Sequence, residues 1–196
     1  MDFLKGAALM KVEIRPLTPD RWHDVERLFG KYGASEGCWC MNWRLRNKDF
    51  KNRSNAANRS DFKEIVEEDR QPGLLAYVEE EPVGWCSIAP RLEFSERITH
   101  SHVFKPVDDK PVWSILCFYV HKDFRKRGIA RQLLKAAIEY AIARGAKTLE
   151  AFPKDSTGRA SDAEVYTGTV NLFQEFNFTE VRRRHPKRPI MRYEIT

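Results

Sequence analysis

One stretch of the chain, from Trp113 to Ile142, restricts the possible folds more than any other. Trp113 to Val120 is a nearly continuous apolar run, which is typical of a central strand covered on both faces. From Ile129 to Ile142 the apolar residues recur at helical spacing, and Gly145 stands where a helix C-terminal cap is expected. The stretch therefore predicts a strand, a turn and a long helix at the centre of a mixed α and β fold.

The turn in this unit is basic and contains one glycine, in the run Arg125-Lys126-Arg127-Gly128-Ile129-Ala130. A helix N-terminus has backbone N–H groups without internal partners and a partial positive charge, so it attracts phosphate. Gly128 removes a Cβ that would hold a diphosphate away from the backbone. Two common phosphate motifs, the P-loop and the dinucleotide glycine fingerprint, are absent. The turn predicts a pyrophosphate site, with a solvated strand-to-helix turn as the alternative.

The 196-residue chain, with 42% hydrophobic and 12% aromatic residues, is long enough for one domain with a full core and too apolar for a disordered protein. The longest uncharged run, Pro111 to Val120, is half the length of a membrane helix. The N-terminus lacks the layout of a secretory signal, so we expect a cytoplasmic protein. An alternating pattern starts at Met10, which predicts a domain over residues 10–196 and makes residues 1–9 a possible extension.

The formal charge of +6 makes acidic ligands and nucleic acids the partner classes to consider. One basic cluster spans Arg182 to Arg188, and we interpret it as a solvated edge strand or loop, with a nucleic-acid surface as the alternative. The four cysteines, Cys38, Cys40, Cys86 and Cys117, do not have the spacing of a zinc ribbon or finger. We interpret them as buried reduced thiols; a zinc site with His23 or His121 is the alternative.

The rest of the chain shows no repeat and no long linker, and its periodicities predict short elements. Strands are predicted at Val12–Arg15, Leu74–Val78, Val83–Ile88, Thr148–Phe152, Phe178–Val181 and Ile190–Tyr193; helices at Pro19–Gly30, Asn58–Asp69 and Ala163–Phe176; and irregular segments at Lys31–Ser54 and Leu92–Asp109.

The run from Ile115 to Leu134 resembles motif A of the GNAT superfamily of acyl-CoA-dependent N-acetyltransferases. Arg125, Gly128 and Ala130 match its R-x-x-G-x-A signature, at the point where a strand leads into an amphipathic helix. The resemblance implies a single-domain α/β (α+β) fold, with a central mixed, mostly antiparallel sheet flanked by helices. It also implies acetyl-CoA (coenzyme A) as the cofactor.

Cofactor contacts follow from the resemblance position by position. Backbone groups at the end of the motif A strand, in Phe118, Tyr119 and Val120, would pair with the pantetheine amides like an added strand. The pyrophosphate would rest on Arg125, Lys126, Arg127, Gly128, Ile129, Ala130 and Arg131. A bulge in the strand would open the cleft, and Glu150 to Pro153 would form its other wall.

The catalytic groups depart from the family pattern. The tyrosine that many members place five residues before the closing Phe corresponds to Phe173, since the closing pair is Asn177-Phe178. Tyr166 is the candidate acid in its place, and Glu150 is the candidate base for an attacking amine. An acyl-enzyme on Cys117 is a further alternative.

Residues Trp39, Met41, Trp43 and Trp85 could line an acceptor pocket, with Arg44 binding a carboxylate; the alternative is that they are core. The sequence thus predicts direct transfer of an acetyl group to the amine of a small molecule. A peptide or protein amine, a non-catalytic acyl-CoA sensor and a nucleic-acid binder remain alternatives. Exposed sheet edges make a homodimer an expectation.

Overall fold

The computed structural model of the chain describes residues 10–155 and 165–195. Their centre is one seven-stranded sheet in the order β1-β2-β3-β4-β5-β7-β6. The strands are β1 Glu13–Pro16, β2 Gly73–Val78, β3 Glu81–Pro90, β4 Trp113–Val120, β5 Thr148–Ala151, β6 Thr179–His185 and β7 Arg188–Glu194. All neighbours are antiparallel except β4 and β5, which are parallel. The predicted mixed, mostly antiparallel sheet is confirmed.

Helices cover both faces of this sheet. They are α1 Trp22–Phe29, α2 Asn47–Lys51, α3 Asn55–Glu67, α4 Ser95–Thr99, α5 Ile129–Ala143 and α6 Val170–Gln174, with 3-10 turns at Pro19–Arg21, Gly30–Tyr32, Arg91–Phe94 and Lys122–Phe124. Side chains of β2 alternate between two apolar clusters: Leu74 packs with α5, and Leu75 packs with α1 and α3. None of the helices within the described ranges is long and apolar enough to span a membrane.

The strands β4 and β5 pair over only three residues, ending at Ile115 opposite Ala151. On its other side β4 has an irregularity, because Ser87 pairs with Cys117 while Ile88 pairs with Ile115. Leu116 is therefore an extra residue, a β-bulge that bends the strand. Beyond it, β4 runs on to Val120 without β5 beside it. The bulge implied by the resemblance is present, and it opens the central sheet.

The helix predicted over Ala163–Phe176 is wrong in most of its described part. Residues 165–169 are a turn, and α6 begins only at Val170. Gly168 has a left-handed backbone with φ of +77°, and the Thr169 side chain accepts a hydrogen bond from the Leu172 N–H at 3.3 Å, which makes it the N-cap of α6. Residues 1–9, the possible extension, lie outside the described residues.

Candidate active site

The gap beside the end of β4 opens into a cavity of about 900 Å³. Its walls come mainly from the end of β4, the first turn of α5, the loop after α1 and residues 165–172. Helices α1 and α2 and strand β3 add one residue each. The turn from Arg125 to Arg131 forms its basic end. All the residues of the predicted cofactor site line this cavity except Arg127, whose guanidinium lies over the Phe124 ring at 5.4 Å, toward a different surface.

Gly128 is the N-cap of α5 and has a left-handed backbone, with φ of +77°. A Cβ built there would meet nothing within 4 Å, so the space in front of it is open. Lys126 is also left-handed, with φ of +60°. Turns of this kind aim successive backbone N–H groups into a concave anion site, and α5 adds its positive N-terminal end. Because Arg125 and Arg131 line the same end of the cavity, the turn fits a diphosphate.

The edge of β4 presents alternate residues to the cavity. The Phe118 N–H faces away from β3 and donates to the Tyr166 carbonyl at 2.6 Å. The His121 N–H donates to Val83 on β3 at 2.9 Å, so the Val120 N–H, one residue earlier, faces the cavity side. The main-chain groups of Tyr119 face β3, and its ring lines the cavity. An extended ligand arm can therefore pair with the main chain of Val120, and with the Phe118 N–H where it replaces the Tyr166 carbonyl.

Glu150 lies away from the cavity. It stands opposite Ser114, in the part of β5 that still pairs with β4, and its side chain is 0% exposed. Arg192 donates to it from Nε at 2.9 Å and lies 2.8 Å away through Nη2, and Arg91 lies 3.6 Å from its other oxygen. The structure does not bring this carboxylate to the predicted cofactor-binding residues of β4. Residues 150–153 also do not line the cavity.

Tyr166 is in a turn and lines the cavity. Burial raises the pKa of its hydroxyl, so the phenol stays protonated at neutral pH. Phe173 is 0% exposed and packs against Phe118 and Phe178. The structure thus places Tyr166 where a proton donor can reach the cavity, and it makes Phe173 part of the core.

The four predicted acceptor residues separate into two pairs. Trp43 and Trp85 line the cavity, whereas Trp39 and Arg44 do not. The Trp39 indole donates to Asn55, and Arg44, 7% exposed, donates to Glu93 at 2.8 Å. Trp39 and Arg44 are therefore structural. Met41, considered with them, is also buried in the core.

Three cysteines, Cys38, Cys40 and Cys117, also line the cavity. The sequence favours buried thiols for them, with a zinc site and a Cys117 acyl-enzyme as alternatives. The Trp85 indole N–H donates to Cys40 Sγ at 3.3 Å. The Cys117 thiol, as the largest cause, lowers the pKa of Cys40, and Ser87 and Arg44 add to the effect. The pKa of Cys117 is raised by the same contact. All four cysteines are free, and no group of metal-ligating side chains is found in the described ranges.

Comparison with known proteins gives one family match. A model described as the acetyltransferase (GNAT) family matches residues 39–166, a range that holds β2 to β5, α5 and most of the cavity walls. No curated protein matches the chain.

Solved structures share the fold at low sequence identity. An acetyltransferase of the GNAT family from Listeria monocytogenes superposes with a TM-score of 0.59 at 9% identity, over 97% of this chain and 98% of that one. The PaiA N-acetyltransferase from Thermoplasma acidophilum, solved with coenzyme A, superposes with a TM-score of 0.53 at 14% identity, over 95% of this chain and 100% of that one. A chain of the NatC complex bound to Gag peptide and CoA superposes with a TM-score of 0.55 at 13% identity, over 95% of this chain and 100% of that one.

Proposed function

The chain belongs to the acetyltransferase (GNAT) family, and we propose on this premise that it acetylates the amine of a small molecule by direct transfer from acetyl-CoA. Membership makes the protein an N-acetyltransferase with acetyl-CoA as its cofactor. The acceptor class and the role of each residue are the proposal. The observation that carries it is the continuous cavity, which joins the basic turn at one end to aromatic side chains at the other.

The basic end binds the diphosphate. Arg125 and Lys126 supply positive charge, and the open space before Gly128 lets the anion approach the first N–H groups of α5. Arg131 lies beside them, although it also pairs with Glu175 at 2.8 Å. Charge-assisted hydrogen bonds of this kind are about twice as strong as neutral ones. The diphosphate therefore anchors the cofactor and sets the direction in which its arm enters.

The edge of β4 orients the arm. Main-chain groups of Phe118 and Val120 run from the basic turn toward the bulge, as an added strand would require. The Phe118 N–H now donates to the Tyr166 carbonyl, so binding of the arm at that group exchanges one main-chain partner for another. Acetyl-CoA supplies a thioester, whose carbonyl carbon accepts an amine. An arm that followed β4 past Phe118 would bring its thioester toward Cys117 and Tyr166, which line the same cavity.

The aromatic end selects the acceptor and excludes water. Trp43, Trp85 and Tyr119 line it together with Phe29 and Phe50. Rings of this size bury much apolar surface and favour a flat or apolar amine over a polar peptide backbone. Tyr166 holds a proton there that it can donate to the departing thiolate.

The experiment is a panel of amines, with release of free CoA from acetyl-CoA as the readout. The panel contains phenethylamine, tryptamine, spermidine, free amino acids and short peptides with free N-termini. Turnover that is fastest with a small aromatic or apolar amine supports the proposal. Peptides as the best substrates would overturn the small-molecule assignment. Binding of acetyl-CoA without turnover of any amine would make the protein an acyl-CoA sensor.

A further inference from the structure

Direct acetyl transfer needs a group that takes a proton from the attacking amine. The described residues that line the cavity include one carboxylate, Glu36, and no histidine. Glu36 is exposed, and Glu150 is held outside the cavity by Arg192. Among the described residues, the proton acceptor is therefore sought in a less usual group.

The surroundings of Cys40 lower the pKa of its thiol to about 7, because the Cys117 thiol favours the thiolate more than burial opposes it. The Cys40 Sγ accepts the Trp85 indole N–H at 3.3 Å, and the Cys117 thiol on β4 has the largest effect on its pKa. The Ser87 hydroxyl also lowers the pKa of Cys40, and this buried hydroxyl has no hydrogen-bond partner among the described residues. The Trp85 indole on β3 therefore donates to this sulfur atom, and the Cys117 thiol on β4 further favours its thiolate form.

Arg44 supplies the positive charge that such a thiolate requires. Its guanidinium is buried, and Nη1 donates to Glu93 at 2.8 Å. The Nε and Nη2 atoms have no partner among the described residues. A buried cation with three of its five N–H donors unmatched is costly unless a further anion lies nearby. Burial lowers the pKa of Arg44 to about 10, and the Cys40 thiolate opposes part of this shift. The positive charge of Arg44 in turn lowers the pKa of Cys40.

The backbone around Cys40 is held in an unfavourable conformation. Trp39 and Cys40 both have left-handed backbones, with φ of +43° and +60°, although neither is a glycine. Such residues cost of order 1–3 kcal/mol each and persist where the surroundings fix them. Here the Trp39 N–H donates to Gly33 and the Met41 N–H to Cys38, and the Trp39 indole donates to Asn55. The loop is fixed so that Cys40 Sγ meets its donors at the cavity wall.

A second buried donor marks the same wall as a place for a ligand. Trp43 is 2% exposed and lines the cavity, yet its indole N–H has no partner within the described ranges. A buried donor without a partner normally has one in the functional complex. A ligand with a hydrogen-bond acceptor, such as a thioester carbonyl, satisfies it.

We infer that Cys40 is the general base of the reaction, and this inference rests on the proposed acetyl transfer to an amine. The Cys40 thiolate takes a proton from the ammonium form of the acceptor and becomes a thiol. The freed amine nitrogen bonds to the thioester carbon, and the bond from that carbon to the CoA sulfur breaks. The nitrogen loses its second proton to Tyr166 as the Tyr166 hydroxyl protonates the departing sulfur. The Cys40 thiol then returns its proton to water.

The first test needs no acceptor amine. The protein is alkylated with iodoacetamide over a range of pH, and modification of each cysteine is followed by peptide mass mapping. The alkylation rate of Cys40 should reach half of its maximum at a lower pH than the alkylation rate of a free cysteine does. Saturating acetyl-CoA should slow the alkylation of Cys40. Titration of Cys40 as an ordinary thiol would overturn the inference.

The second test uses the best amine from the panel and the pH profile of kcat/KM. Cys40→Ser should lower kcat about a hundredfold or more, since general base catalysis contributes typically 10²–10⁴-fold. Cys40→Asp should recover part of the rate and move the acidic limb to lower pH, because a carboxylate is more acidic than a thiol. A merely structural cysteine would not move that limb. Cys86→Ala is the matched control on β3 and should keep the profile of the parent.

Two further results separate the inference from its competitors. Acetyl-CoA without amine should leave Cys40 unmodified in intact mass spectra. An acetyl group on Cys40 would show that it is a nucleophile that forms an acyl-enzyme, and not a general base. Normal turnover and an unchanged pH profile in folded Cys40→Ser would remove Cys40 from catalysis while leaving the proposed function intact. Absence of turnover in the parent with every amine would instead count against the proposed function itself.

Discussion

Arg192 and Glu150 face each other across the β5–β7 ladder and form a buried ion pair, with Arg192 Nε 2.9 Å from Glu150 Oε2. Arg192 also binds Asp108 through two hydrogen bonds of 2.7 and 2.9 Å. This network ties the loop before β4 to the far half of the sheet. It lies where β4 and β5 still pair, directly before they separate around the cavity.

Glu150→Gln should therefore affect stability more than cofactor binding. Removing one partner of a buried pair leaves an uncompensated charge and costs about 3–5 kcal/mol. We expect a loss near the lower end of this range in urea unfolding, because Asp108 still binds Arg192. The stabilisation by acetyl-CoA should persist in the folded fraction. Glu180→Gln, which breaks the exposed pair with Arg183, should cost about 1 kcal/mol or less.

Gly128→Glu should abolish binding of acetyl-CoA. The substitution puts bulk and negative charge into the open space where the diphosphate is proposed to lie. At 100 times its dissociation constant, acetyl-CoA should stabilise the parent by about 2.7 kcal/mol, which is roughly 5 to 10 °C in Tm for a chain of this size. Thermal unfolding with and without acetyl-CoA measures the difference.

Gly128→Ala separates the charge from the backbone effect. Alanine has the same left-handed strain, which costs about 1–2 kcal/mol, but its Cβ meets nothing within 4 Å. We expect a lower Tm and a shift with acetyl-CoA close to that of the parent. An unchanged shift in Gly128→Glu would mean that the diphosphate binds elsewhere.

Tyr166→Phe should lower kcat and leave the KM for acetyl-CoA nearly unchanged. The variant keeps the ring and the main-chain carbonyl that pairs with Phe118, and it loses only the proton donor. Because burial raises the pKa of Tyr166, the alkaline limb of kcat in the parent should lie above pH 10. Tyr140→Phe, whose hydroxyl donates to the Gln71 carbonyl at 3.0 Å away from the cavity, serves as the control. A fall of less than about tenfold would exclude Tyr166 as the acid.

The elements that sequence predicted best are those in which burial and periodicity agree. The apolar run Trp113–Val120 is β4 residue for residue, since a strand covered on both faces leaves no doubt about its limits. Helix α5 follows from its apolar stripe in the same way. The predicted helix Ala163–Phe176 is too long, because the prediction follows the apolar spacing and overlooks Gly168 and Thr169. These two residues precede the start of α6 at Val170.

The site was predictable only where its residues are contiguous. The basic turn Arg125–Arg131 is one local motif, so spacing was enough to find it. The partner of Glu150, Arg192, lies 42 positions later in the sequence. No local sequence pattern shows that the Glu150 carboxylate is already ion-paired. The surroundings of Cys40 are assembled from the loop after α1, from Trp85 on β3 and from Cys117 on β4. Only the fold brings such groups together.

Acid stability offers a test of the same network that holds Glu150 away from the cavity. Hydrogen bonds from Arg192 lower the pKa of Asp108 to about 2, below the value of about 3.9 for an unfolded chain. A carboxyl with a depressed pKa stabilises the fold above its unfolded value, and this contribution is lost as the pH falls from about 4 toward 2. In urea unfolding between pH 2 and 5, Asp108→Asn should be less stable than the parent at pH 5, and the two should converge near pH 2. Asp109→Asn changes the net charge equally without touching Arg192, so it should keep the slope of the parent. Parallel curves for the parent and Asp108→Asn would show that Arg192 does not hold Asp108 in solution.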